Sequence, residues 1–264
     1  GVELIGSAGR KADLEMVALA VDALRSCGLE RFHIELGHAG FFRDLAGRVD
    51  MPPQVIERMR SLIEGKNFAA LNDLLEPYAG QGACRALRRL SRLFGGAEVL
   101  DEAEALAGGS AVLVYLRQLY GELCQAGYGD YLRFDLGLVH QIDYYTGVVF
   151  RGYVEGAGDA VLSGGRYDKL VEAFGRSAPA TGFAVDVDAV ADCLPAREPA
   201  RLEGLVHFGP GALALALAAV DSRAPGTWEL SPCDTLEETL ALAREKGARE
   251  VLVLEDGTER RVEV

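Results

Sequence analysis

Helical periodicity runs almost unbroken from about residue 41 to residue 127, and strand-like text stands on both sides of it. The block reads PPQVIERMRSLIEG, FAALNDLLEPY, ACRALRRLSRLFG and SAVLVYLRQLYGELCQAG, divided by Gly, Pro and Asn. Before it, Val2 to Ile5 form a short apolar run, and a Gly/Ser turn follows. Leu14, Val17, Ala18, Val21 and Leu24 then recur at three- and four-residue steps, predicting a helix from Ala12 to Cys27 with Gly28 at its C-terminal cap. RFHIELGH alternates like a half-buried strand. After the block come YLRFDLGLV, YYTGVVFRGYV, the turn EGAGDA, VLSGGRYD, a short helix LVEAFG and TGFAVDVDAVADCL. These fit several antiparallel strands joined by hairpins. Helices placed between strands of one sheet make a helical insertion, about 41–127, in an α+β domain over residues 1–194.

Composition shifts at Pro195 to Glu203, where two prolines and four charges suggest a linker. Beyond it lie a strand GLVHFG, a helix over Gly211 to Ser222, the strand TWEL, a helix opening on a Thr235 to Glu238 capping box, and the strand REVLVLED. Strand alternating with helix predicts a small α/β C-terminal domain, 203–264, with a partly parallel sheet.

The charge balance, 27 basic against 40 acidic residues and a formal −13, repels a phosphate backbone and argues against a nucleic-acid partner. ALRRLSR, the densest basic group, is interrupted by apolar residues at helical spacing and reads as a solvated helix face. No run of about 18 apolar residues and no signal-like N-terminus appears, so neither membrane insertion nor secretion is expected, and a cytoplasmic setting is. Five scattered cysteines form no ligand cluster, and no metal site is expected. His33, His38 and His207 read as packed or surface histidines, and Asp13 and Glu15 fall on different faces of one helix. Gly209 and Gly211 flank Pro210 between a strand and a helix, but lack the further glycines of a phosphate loop.

Two tyrosine segments carry the chemistry. Tyr144 and Tyr145 follow Asp143 in IDYYTGVVF, and Tyr167 sits between Arg166 and Asp168 in SGGRYDKL. A tyrosine offers an apolar wall and a hydroxyl that donates or accepts, while Gly164 and Gly165 let a backbone approach a ligand closely. The same residues can equally pack a sheet, so on spacing alone both a small-molecule pocket and a plain core remain open.

LVHQIDYYTGVVF resembles the first histidine-specific motif of histidyl-tRNA synthetases, usually LVRGLDYYTG, and SGGRYDKLVEAFG resembles the second, GGRYDGL. PATGFAVDVDAV is similar to their class II motif 3, and GVELIGSAGRKADLEMVALA resembles the strand that leaves motif 2. The resemblance covers roughly residues 1–30 and 130–192. It implies a class II synthetase-like antiparallel sheet flanked by helices, with Glu3, Tyr145 and Tyr167 lining an amino-acid pocket. Asp143, Tyr144, Gly164, Gly165 and Arg166 then either contact the ligand or shape the pocket. Gly1 falls inside what corresponds to motif 2, so motif 1 and its dimer-forming helix are missing from the sequence, and an incomplete sheet is expected.

The departures matter as much. Where the synthetases carry their catalytic arginine this chain has His140, followed by Gln141 in place of glycine. Where motif 3 supplies the arginine for the ATP phosphates it has Ala189, with Asp186 at a position the family keeps small. Neither histidine nor alanine reproduces the bidentate grip of a guanidinium on phosphate, and a nearby carboxylate repels ATP. This pattern, with the LALAREKGAREVLVLEDGTERRVEV tail, resembles the regulatory subunits of ATP phosphoribosyltransferase, synthetase paralogues that lack the anticodon-binding domain. The resemblance implies a subunit with no catalytic residue, metal or cofactor. It implies histidine as effector ligand, and a short-form ATP phosphoribosyltransferase catalytic subunit as partner in a hetero-oligomer that also self-associates. An active histidyl-tRNA synthetase fragment, and a synthetase-like protein that uses its pocket for another ligand, are the alternatives.

Overall fold

In the computed structural model of this chain, residues 1–139, 144–170, 172, 175–195, 201–255 and 257–264 are described. The chain divides into two units, 1–195 and 196–264. The first begins with β1 (Val2–Ile5), α1 (Arg10–Ser26) and β2 (Phe32–His38). The helical block follows as α2 (Ala39–Gly47), α3 (Pro53–Glu64), α4 (Phe68–Leu75), α5 (Cys84–Arg89), a short β3 (Phe94–Gly95), α6 (Glu98–Ala107) and α7 (Ala111–Gln125). The unit closes with β4 (Leu132–Asp135), β5 (Val148–Val154), β6 (Leu162–Arg166), β7 (Ala180–Val185) and α8 (Val187–Cys193). The expected helix LVEAFG lies largely outside the described residues.

Among the described residues a seven-stranded sheet runs in the order β1-β7-β6-β5-β2-β4-β3. It is antiparallel as expected except at β2 and β4, which pair in parallel. Parallel neighbours need a long crossover, and the helical block supplies it. β3, which periodicity does not reveal because two residues carry none, emerges inside the block to pair with the edge of β4. Nor is β2 half-exposed as its alternation suggested: Phe32, Ile34, Glu35, Leu36 and Gly37 are all buried. The strand lies inside the sheet, and the turn after β4 folds over Gly37, where a side chain would meet the Asp135 carbonyl and Leu138.

One face of the sheet packs against α1. Met16, Val17, Ala20, Val21 and Leu24 join Ile34, Leu36, Phe150, Leu162 and Phe183 in one core, each such side chain contributing about 1.5–3 kcal/mol on full burial. Gly152 makes room there, since a methyl would lie 3.0 Å from Leu24 Cδ1. Phe41, Leu45, Met59, Leu71, Leu87 and Leu116 carry the same core into the helical block. The basic group ALRRLSR is a paired surface: Arg88 meets Glu76 at 2.6 Å, Arg89 meets Glu102 at 2.5 Å, and Arg92 stacks over Phe68 at 4.9 Å.

The second unit holds β8 (Gly204–Phe208), α9 (Leu213–Asp221), β9 (Trp228–Leu230), α10 (Leu236–Glu245), β10 (Glu250–Glu255) and β11 (Thr258–Glu263). Its sheet order is β11-β10-β8-β9, parallel across β10, β8 and β9. The Thr235–Glu238 capping box forms as expected. β11 was not apparent in the sequence, because TERRVE is a charged, exposed edge strand with no apolar alternation. His207 is a packed histidine, with Nδ1 2.8 Å from Thr239 Oγ1 and Nε2 3.3 Å from Glu255 Oε1.

Candidate functional site

The sheet's register builds a floor with few side chains. Glu3 lies opposite Gly182, Gly182 opposite Gly165, Gly165 opposite Val149 and Val149 opposite Gly37. Directly paired residues project from the same face, so three of these five positions carry no side chain and let neighbouring groups lie against the backbone. A methyl on Gly182 would collide with the Glu3 carboxylate and the Val2 carbonyl. One on Gly165 would lie 2.6 Å from Val148 O and 2.7 Å from the Tyr145 ring. The Glu3 carboxylate therefore rests over Gly182, and the Tyr145 ring over Gly165. Alternation sends Gly164 to the opposite face, where a methyl would strike Phe183 and Phe150 of the α1 core.

Above this floor the tyrosines gather. The Tyr144 ring stands edge-on to Tyr145 at 4.8 Å and stacks on Tyr167 at 5.1 Å. Tyr167 is buried, whereas Tyr144 and Tyr145 are half-buried. Burial raises the phenol pKa of both Tyr144 and Tyr145, and the charge of Glu3 pushes in the same direction, so their hydroxyls stay protonated at neutral pH. Partial burial also lifts the Glu3 carboxyl above its ordinary value. A carboxylate beside phenolic hydroxyls is a donor and acceptor set suited to an ammonium or an imidazole N–H. Beside Tyr145 a cavity of about 460 Å³ opens, lined by Val149, Arg151, Asp159, Ser163 and Glu64.

Arg166 lies on the α1 side of the sheet, where its guanidinium is fully engaged. Nη2 is 2.8 Å from Asp13 Oδ1, and both side chains are almost wholly buried. Nη1 reaches Asp168 Oδ1 and the Ser7 carbonyl, each at 3.0 Å, and Nη2 donates to the Gly9 carbonyl at 3.3 Å. Asp13 also accepts from the Tyr115 hydroxyl of α7. One arginine thus ties α1, α7, the turn after β1 and the end of β6 together, which holds the strand end that presents Tyr167. Thr146 completes the frame: its N–H donates to Arg166 O at 2.7 Å and its hydroxyl accepts from Asp168 N at 3.0 Å. From α2, Arg43 donates to the carbonyls of Tyr145 at 3.2 Å and Thr146 at 3.3 Å. His38 caps α2 by accepting from Gly40 N at 3.0 Å. Burial, with the positive charges of Arg43 and Arg166, pushes its pKa down to about 4, so the ring stays neutral, as an acceptor must.

Asp13 carries a sequence signal, since it shares the apolar stripe of α1 with Met16, Val17 and Ala20. Tyr115 and Arg43 carry none, because each reaches the site from the helical block across about a hundred residues of chain. Asp186 caps α8, accepting from Ala189 N at 3.0 Å, which leaves the half-buried Ala189 in that helix's first turn. His140, Gln141 and Asp143 lie outside the described residues. Among the described residues no cluster of three or more His, Cys, Asp or Glu is placed to hold a metal, and no helix is long and apolar enough to cross a membrane.

The ATP phosphoribosyltransferase regulatory subunit of Clostridium kluyveri is 42% identical to this chain over 196 residues, 72% of the chain and 50% of that protein. The protein of the same name from Clostridium novyi is 34% identical over 268 residues, 97% of the chain and 64% of the relative. This chain spans about half the length of several curated relatives it matches. A crystal structure of an ATP phosphoribosyltransferase regulatory subunit/histidyl-tRNA synthetase from Bacillus halodurans superposes with a TM-score of 0.73 at 28% identity, over 97% of this chain and 68% of that one. Residues 1–190 match the family model described as Histidyl-tRNA synthetase, a span that takes in Glu3, both tyrosine segments and the glycine-floored sheet between them. The chain belongs to the histidyl-tRNA synthetase family.

Proposed function

We propose that this chain is a non-catalytic regulatory subunit of ATP phosphoribosyltransferase, needed for the activity of a short catalytic subunit and for its feedback control by histidine. One observation carries the reading. The face that would receive an amino acid keeps its carboxylate over Gly182 and its clustered tyrosines, while Ala189, in the first turn of α8, occupies the position at which the resemblance to motif 3 would put an ATP-binding arginine. The names of the relatives from two Clostridium species point the same way. Phosphoribosyl transfer then takes place on the partner, in the cytoplasm, and this chain needs neither metal nor cofactor. Histidine is its effector ligand. Its contribution is a coupling free energy between the histidine site and the partner's active site, typically about 1–3 kcal/mol.

The test is an assay of a purified short-form ATP phosphoribosyltransferase with increasing amounts of this chain. Turnover rises to a plateau as the chain is added, and histidine then lowers it. A chain that neither co-elutes with the enzyme nor changes its rate refutes the proposal. Histidine-dependent exchange between pyrophosphate and ATP on this chain supports the synthetase reading instead.

A further inference from the structure

We propose that Arg151 is the carboxylate-binding residue of the same site, so that its ligand is recognised as a zwitterionic amino acid and not by its ring alone. This rests on the reading above, in which the tyrosine-lined floor holds histidine. The register places it. Ser163 pairs with Arg151, and Arg151 with Glu35, in the row next to the one formed by Gly165, Val149 and Gly37. Arg151 is two residues along the strand from Val149 and so projects from the same face, about 6–7 Å away. That separation suits a ligand with its ring over the floor and its α-carbon substituents one row further on.

The surroundings fit that role. Arg151 lines the cavity of about 460 Å³ beside Tyr145, together with Ser163, Asp159 and Glu64, and it is the one cation among the residues that line it. Its guanidinium hydrogen-bonds the Tyr153 side chain, and its charge offsets part of the upward shift that burial imposes on the phenols of Tyr145 and Tyr153. Arg166 spends its donors on Asp13, Asp168 and two backbone carbonyls, whereas among the described residues Arg151 hydrogen-bonds the neutral Tyr153 side chain and forms no ion pair. A guanidinium presents paired N–H groups that match a carboxylate. Arg151 beside Asp159 matches a zwitterion, whose carboxylate meets the guanidinium and whose ammonium faces the acid.

The experiment is calorimetric titration of the chain, and of its Arg151→Met and Arg151→Lys variants, with L-histidine and with histamine, which lacks the carboxylate. The chain itself binds histidine at least tenfold more tightly than histamine. Arg151→Met removes that preference by weakening histidine alone, its unchanged histamine binding showing that the site is still folded, and Arg151→Lys restores part of it. A histidine preference that survives in Arg151→Met overturns the assignment and leaves the amino-acid site standing. No binding of either compound to the unaltered chain overturns the amino-acid reading itself, and the Arg151 assignment with it.

Discussion

An Asp13→Ala variant loses about 3–5 kcal/mol of stability, because it removes the buried countercharge of the Arg166 guanidinium and leaves it only the partly exposed Asp168. Asp13 and Arg166 face each other at 2.8 Å between α1 and the end of β6, and Tyr115 from α7 donates to the same carboxylate. Removing Asp13 therefore takes the buried countercharge from Arg166 and the acceptor from the Tyr115 hydroxyl together, and urea unfolding monitored by circular dichroism reads the loss directly. Replacing both partners by apolar residues of similar size, Asp13→Leu with Arg166→Met, costs less than Asp13→Ala alone, since no buried charge remains unpaired. A loss below about 1 kcal/mol in Asp13→Ala, the range of an exposed ion pair, would show that this network is not what secures the frame.

A second substitution separates the site from the frame. Gly165→Val weakens histidine binding by at least tenfold, about 1.4 kcal/mol or more. The added side chain starts 2.6 Å from Val148 O and 2.7 Å from the Tyr145 ring, so the ring must leave the floor or β5 must move. Overpacking of this kind also costs about 1–3 kcal/mol of stability. Gly158→Ala is the control, because a methyl there meets nothing within 4 Å, and it leaves both binding and unfolding unchanged. Histidine affinity in Gly165→Val equal to that of the unaltered chain would place the ligand elsewhere.

Elements with a strong local signal were legible in the sequence. α1 shows its apolar stripe, α10 its capping box, and the two tyrosine segments their unusual composition. What periodicity could not reveal was set by pairing across long separations. β4 runs parallel to β2 because the helical block between them acts as a crossover, and nothing within LRFD encodes a direction. β11 survives as a strand on backbone pairing to β10 although its side chains are charged and exposed.

The site shows the same division. Glu3, Tyr144, Tyr145 and Tyr167 were read from the motifs, and the structure brings their side chains to one floor. GGR reads as one motif, yet its members part by strand alternation: Gly165 seats the Tyr145 ring, whereas Gly164 and Arg166 turn to the α1 core. The frame behind the tyrosines depends on Asp13, Arg43, Tyr115 and Thr146, which meet only after the chain has folded.

The most direct test of the central claim, an amino-acid site without adenylation, is calorimetric titration of the chain with L-histidine in the absence and in the presence of magnesium and ATP. Saturable histidine binding with the same affinity in both, and no adenylate formed, is the predicted result. No histidine binding, or binding that tightens with ATP and yields histidyl-adenylate, would contradict it.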